Sequence, residues 1–416
     1  MAGEKKQLKK PELLAPAGNM DKLKKAFAYG ADAVYIGGEE YSLRVAADNF
    51  TMRQMAEGVE HAHNLGKKVY LTANVIPHNA DVKDYALYIA EAAATGVDAV
   101  IISDLGLFQI TKEVCPELDI HISTQANNVN YKSAEMWHKL GAKRVILARE
   151  LSLEEIKEIR AAVSPRLELE AFVHGAMCMS YSGRCLLSNY MANRDGNSGN
   201  CAQPCRWKYY LMEEKRPGQY MPVYENERGT FIFNSKDLCM IEHIDKLFES
   251  GLDSFKVEGR VKSEYYVATV MQAYRAAIDS YWKDPEHYKT DPSWLEELKK
   301  VSHRDYTTGF FFDKPKSDAH NYADSSYIRD YELLGIVKAY DKERGMVSVV
   351  QKNRFFTGTE VEFLRPHGEF FKQKITYMED DNHIEIDVAN KPQSIVHIKT
   401  NLPLEPESMM RAPRVK

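Results

Sequence analysis

Five nine-residue stretches share one pattern, a glycine followed within a few positions by a short apolar run rich in β-branched and aromatic residues. They are Gly30–Gly38, Gly66–Asn74, Gly96–Asp104, Gly141–Arg149 and Gly251–Gly259. Helical spacing of apolar residues marks stretches such as Met20–Tyr29, Thr51–Leu65, Tyr85–Thr95 and Leu153–Ala162 between them. Glycine suits the left-handed position that ends a helix, and an unbroken apolar run suits a strand covered on both faces. Glu12–Ala15, Asp119–Ser123 and Leu167–Val173 read as further strands and bring the number to eight. Strand alternating with helix implies an α/β fold with a parallel sheet. Eight units predict a closed (β/α)8, TIM-like barrel over residues 1–325, with an open doubly wound sheet as the alternative. The first strand runs into Pro16-Ala-Gly-Asn rather than the G-x-G-x-x-G turn of a dinucleotide site, which favours the barrel.

One connection breaks the rhythm. About eighty residues separate Val173 from the eighth strand, a length that calls for function or a fold of its own. This insertion, residues 174–250, holds five of the six cysteines. A helix is expected over Ser263–Trp282, and after about Asp330 the period shortens. Leu334–Tyr340, Met346–Gln351, Glu360–Phe363, Phe371–Tyr377, Ile384–Val388 and Ile395–Ile398 alternate like strands and are punctuated by turn residues. They predict a small antiparallel β-barrel over 330–416.

Composition narrows the setting. Hydrophobic residues make up 44% and charged residues 28%, ordinary for a globular chain, and no apolar run approaches the ~20 residues that cross a bilayer. The N-terminus, Met-Ala-Gly-Glu-Lys-Lys, lacks the apolar core of a signal peptide, so a cytoplasmic protein without membrane contact is expected. A net charge of −5 gives no global field for nucleic acid, though local basic patches can still meet phosphates. In a reducing compartment, clustered cysteines point to metal or redox chemistry rather than disulfides.

The cysteines are spaced Cys178-x6-Cys185-x15-Cys201-x3-Cys205. Thiolates select zinc, copper(I) or iron–sulfur clusters. A zinc ribbon normally carries two short knuckles, and only Cys201–Cys205 is knuckle-like. The wide gaps suit a larger object, a 4Fe–4S cluster, with zinc or free thiols as alternatives. Cys239, also in the insertion, is the rival to Cys205 as fourth ligand, whereas Cys115 reads as a structural thiol.

Around these cysteines the sequence resembles a known family. Glu170-Ala-Phe-Val-His-Gly-Ala-Met-Cys178-Met-Ser-Tyr-Ser-Gly-Arg-Cys185-Leu-Leu-Ser188 is similar to the signature of the collagenase-like peptidase family U-32. The resemblance extends to Leu13-Leu-Ala-Pro-Ala-Gly18, Cys201-Ala-Gln-Pro-Cys-Arg-Trp207 and Lys256-Val-Glu-Gly-Arg260. It implies a catalytic barrel, a C-terminal β-barrel and, as in several members, a 4Fe–4S cluster. The members it looks most like take part in prephenate-dependent formation of 5-hydroxyuridine at the tRNA wobble position. That implies tRNA and prephenate as partners, with a paralogue or an electron donor besides. Collagenase activity attributed to some members supplies the alternative of a peptidase, and a non-catalytic scaffold or maturation role is a third. The chain contains neither a His-Glu-x-x-His helix nor a Gly-x-Ser-x-Gly elbow.

Barrel active sites lie at the C-terminal ends of the strands. Residues expected there as catalytic are His174, Lys256, Glu258 and Arg260. Arg44, Asn74, His78, Gln125, Arg149 and Arg206 are expected to bind substrate. An oxygen donor with two carboxylates would need guanidinium or ammonium partners, for which Arg44, Arg149, Lys256 and Arg260 are candidates. Salt bridges, Arg149 to Glu150 and Lys256 to Glu258, are the structural alternative. Arg184, Arg194, Arg206, Trp207 and Lys208 place basic and aromatic groups near the cysteines, as an unstacked base would require.

Overall fold

A computed structural model describes residues 9–42, 49–177, 188, 192, 194, 201–202, 204, 210–211, 221–222, 236–313, 328–368 and 370–414. The glycines that open the five repeats all lie at positive φ, from +66° to +105°, where each preceding helix ends. Other local signals set the helix starts. Asn19 accepts from Lys22 N to cap α1 (Met20–Ala28), and Thr51 with Gln54 forms a capping box on α2 (Met52–Asn64). Ser152 and Glu155 do the same for the helix Leu153–Ala162. Helix α3 (Asn79–Ala94) starts earlier than its apolar spacing predicts, because the Asp81 carboxylate takes the His78 N–H at 2.7 Å and fixes the first turn.

The strands are β1 (Glu12–Pro16), β2 (Ala33–Gly37), β3 (Lys68–Ala73), β4 (Ala99–Ile102), β5 (Asp119–Ile122), β6 (Arg144–Ile146), β7 (Glu168–Ala176) and β8 (Ser254–Val257). Each pairs in parallel with the next, and β8 pairs with both β7 and β1, which closes the barrel. Outward-facing residues such as Leu13, Val34, Val69, Leu71, Leu169 and Phe255 are fully buried, and they belong to one apolar cluster with the helices. The long helix Glu264–Lys283 lies along β1 and α1. The end of the insertion is tied to the wall by a short strand, Asp237–Cys239, antiparallel to β7 and parallel to Tyr306–Thr307.

The C-terminal strands form a seven-stranded antiparallel sheet that curls into a half-barrel around its own core of Val337, Val347, Val349, Phe363, Ile375 and Ile398. Its central strand Tyr331–Asp341 pairs on one side with Met346–Gln351 and on the other with Met409–Pro413. Met409–Pro413 is absent from the pattern read along the sequence, and the short strand Met378–Asp380 pairs in place of Ile384–Val388. Polar contacts clamp this sheet to the flank of the barrel. Buried Arg411 reaches Glu297 and Glu362, Lys25 pairs with Glu407 at 2.5 Å, and the Tyr29 hydroxyl donates to the carbonyls of Leu364 and Glu407. At the other end of the flank, Lys352 meets Glu264 at 3.2 Å.

Candidate active site

Alternation along each strand decides what faces the barrel interior. The inward set is charged. Arg144 on β6 bonds Glu12 of β1 at 2.7 Å, and Glu168 and Glu170 of β7 at 2.7 and 2.8 Å. Lys256 on β8 completes the set by pairing with Glu170 at 2.9 Å. The Tyr70 hydroxyl donates to Glu12 at 2.6 Å and Ser254 Oγ lies 3.1 Å from it. His121 closes the layer, its ring 4.7 Å from that of Tyr70. Burial alone would raise the Glu12 carboxyl, but the adjoining Arg144 guanidinium holds it below the ordinary value. Burial, then the charges of Arg144 and Lys256, keeps His121 neutral. Lys256 is pushed down by burial and held up by Glu170, so the partner of Lys256 is Glu170 on the next strand rather than Glu258 on its own. These interior acids were not singled out in the sequence. Charges at every second position of Glu168-Leu-Glu170 were the available signal.

Above this layer Arg260 crosses the mouth. It leaves the end of β8 and sends its guanidinium over β1 to donate to Thr72 Oγ1 at 3.0 Å and Ser42 Oγ at 2.7 Å. Two glycines make that path. A Cβ on Gly37 would stand 2.0 Å from Arg260 Nη1, and one on Gly18 would stand 2.4 Å from the Arg260 carbonyl. The Pro-Ala-Gly motif after β1 is thus explained by the close passage of the Arg260 backbone. Lys22 also donates to that carbonyl at 3.2 Å.

The rest of the mouth is lined by the ends of β3, β5, β6 and β7. Asn74 continues the inward series Tyr70, Thr72, and its Nδ2 lies 3.5 Å from Ser123 Oγ, which continues the inward series of β5. Gln125 N also donates to Ser123 Oγ. Arg149 lies over the inward Phe172 ring at 4.0 Å and donates Nη1 to the Ala176 carbonyl at 2.7 Å. Among the described residues, Asn74 Oδ1, Gln125 Oε1 and Arg149 Nε are buried without a hydrogen-bond partner. So are both amide atoms of Asn128, which is 1% exposed and receives Ala148 N–H on its carbonyl beside Arg149. Each such atom costs about 1–3 kcal/mol when left dry, so their gathering at one strand-end face marks a place that a polar ligand or water completes.

His174 and Cys239 share a different compartment. The register of β7 against β8 slips by one residue, with Phe172 opposite Lys256 and His174 opposite Val257. Val173 is the extra residue, and this bulge turns His174 from the interior to the outer side of the wall. There it packs against the rings of Tyr266, Tyr274 and Tyr306. Burial, with the charges of Lys262 and His303, pulls its pKa down to about 3. Cys239 is its register partner, and burial pushes that thiol up to about 12. Gly175, at φ +108°, lets Glu258 approach, since a Cβ there would lie 2.7 Å from the Glu258 carbonyl. His78 is exposed on the rim as the cap of α3 and joins neither compartment. Cys201 is exposed, whereas Cys178, Cys185, Cys205, Arg44 and Arg206 lie outside the described residues. Among the described residues, no three His, Cys, Asp or Glu side chains converge as a metal site, and no helix is long and apolar enough to cross a membrane.

Comparison with known proteins agrees with this architecture. A family model described as "Peptidase family U32" matches residues 18–321, and "Peptidase family U32 C-terminal domain" matches residues 329–411. The chain belongs to peptidase family U32. It is 43% identical over 409 residues to "tRNA hydroxylation protein P1" of Bacillus subtilis, covering 98% of this chain and 96% of that one. It is 41% identical over 398 residues to "tRNA hydroxylation protein P" of Escherichia coli, covering 86% and 87%. A more distant relative, "23S rRNA 5-hydroxycytidine C2501 synthase" of Escherichia coli, is 32% identical over 323 residues, covering 76% of this chain and 47% of its own length.

Proposed function

We propose that this chain hydroxylates uridine in tRNA at C5, using prephenate as oxygen donor and a 4Fe–4S cluster. The observation that carries the reading is the full-length similarity to proteins named for tRNA hydroxylation, joined to a barrel mouth lined with unsatisfied polar atoms. Arg260 at that mouth suits a carboxylate of prephenate, since guanidinium forks bind carboxylates in a fixed geometry.

The thiols fit the cluster by donor chemistry, because soft thiolate sulfur is what binds iron–sulfur centres. Cys178, Cys185 and Cys201 would hold it, with Cys205 or Cys239 as the fourth ligand. Bound there, the cluster would supply one-electron chemistry to the reaction. Anaerobic purification followed by iron, sulfide and zinc analysis of the wild type, Cys205→Ser and Cys239→Ser tests both the metal and the fourth ligand. Zinc without sulfide would sink the cluster.

The activity itself is tested by nucleoside mass spectrometry of tRNA from a strain lacking this protein and any paralogue. Wild type should restore 5-hydroxyuridine. Arg260→Lys, which keeps the charge and loses the two-hydroxyl fork, should restore at least tenfold less. Full modification in the empty strain would refute the proposal. A peptidase is disfavoured at the described Cys239, since burial holds that thiol and His174 neutral whereas a thiol nucleophile works as the thiolate.

A further inference from the structure

The barrel mouth carries guanidiniums, which suit an anion, and amides, which suit something else. We propose that Asn74 and Gln125, backed by Arg149, read the hydrogen-bonding edge of the target uracil and so determine which base is accepted. This rests on the reading of the chain as a uridine hydroxylase.

The Asn74 amide is oriented by its neighbour. Its Nδ2 points at Ser123 Oγ, an atom that also accepts Gln125 N–H, and this leaves Oδ1 as a buried acceptor without a donor among the described residues. Gln125 Oε1 is a second such acceptor from the adjoining turn. A carboxylate brings only acceptors and cannot satisfy either atom. A ring N–H can. Uracil carries one donor, N3–H, between two carbonyl oxygens. An amide oxygen can therefore take N3–H while a neighbouring N–H meets O2 or O4. Arg149 Nε is an unpaired buried N–H on the same side of the mouth. Its guanidinium is already stacked on Phe172, so its donor edge is fixed. Cytosine would set the bare N3 lone pair against an amide oxygen, two acceptors face to face. An enzyme acting on a base takes it out of the stack and reads that same edge.

The decisive change is made on the RNA, where it cannot disturb folding of the protein. Full-length, anaerobically purified holoprotein is titrated with anticodon stem-loops carrying uridine, N3-methyluridine or cytidine at the wobble position. The uridine loop should bind about tenfold more tightly than the other two, the effect of one or two lost hydrogen bonds. Asn74→Ala should lose the same factor for the uridine loop and almost nothing for the N3-methyl loop, so that the two binding curves converge. Equal binding of uridine and N3-methyluridine loops, or an Asn74→Ala variant that weakens all three alike, overturns the inference. The underlying reading is judged separately. If wild type restores 5-hydroxyuridine to deletion-strain tRNA while the loops show no preference, only the edge-reading fails. If wild type restores none, the hydroxylase reading fails with it.

Discussion

The two domains enclose opposite kinds of interior. The half-barrel closes over hydrocarbon, with Val337, Val349, Phe363, Ile375 and Ile398 all essentially inaccessible. The (β/α)8 barrel keeps its hydrocarbon on the outside of the strands, against the helices, and fills its centre with Glu12, Glu168, Glu170, Arg144 and Lys256. An apolar core is tolerant, since one methylene more or less is absorbed at modest cost. A buried ionic core is not, because each charge needs its partners and removal of one strands the rest. The barrel interior therefore contributes position more than stability. It sets a rigid charged floor beneath the mouth where Arg149, Arg260 and the amides stand.

That contrast can be broken most sharply at Arg144. Arg144→Met leaves Lys256 as the cation facing three carboxylates in this layer, and should cost about 3–5 kcal/mol in urea unfolding. A loss below about 1 kcal/mol would mean that water already reaches these acids. In the half-barrel, Ile375→Val removes one methylene from a fully buried site and should cost about 1 kcal/mol. A cost as large as that of Arg144→Met would erase the distinction between the two interiors. The smallest expected effect is one of pH. Arg344, then Tyr377 and His383, holds the Glu379 carboxyl at about 2, below its ordinary 4.5. A depressed folded-state value adds stability above the unfolded value and loses it as pH falls through the folded one. The advantage of wild type over Glu379→Gln should thus be constant above about pH 5 and fade between about pH 4.5 and 2. A gap that persists at pH 2 would place the effect elsewhere.

Much of this fold could be read from periodicity. Five of the eight barrel strands follow from glycine-led apolar runs and the other three from apolar runs alone, because burial on both faces leaves a continuous signal and a left-handed helix end favours glycine. Met409–Pro413 escaped, since Met-Met-Arg-Ala-Pro ends in proline and buries an arginine that only its partners Glu297 and Glu362 explain. In the site, the strand-end rule placed Asn74, Gln125, Arg149 and Arg260 where the structure brings them to one mouth. His174 sits at the right end of its strand but behind the wall, because alternation from Glu168, Glu170 and Phe172 carries no trace of a bulge. The sequence paired Lys256 with Glu258, its near neighbour, whereas β-sheet pairing joins it to Glu170, 86 positions away. Contacts made across strands are set by register, which local pattern does not encode.

The bulge at Val173 makes one strand into the party wall of two rooms. Below it the side chains of β7 face a chamber of charges, and beyond it they face a tyrosine-lined chamber in which Cys239 and the returning end of the insertion are moored. Adding one residue to β8 opposite Val173 would put the two strands back in step and swing the imidazole into the charged chamber. The count of residues in this wall, rather than the identity of any one of them, keeps the two chambers separate.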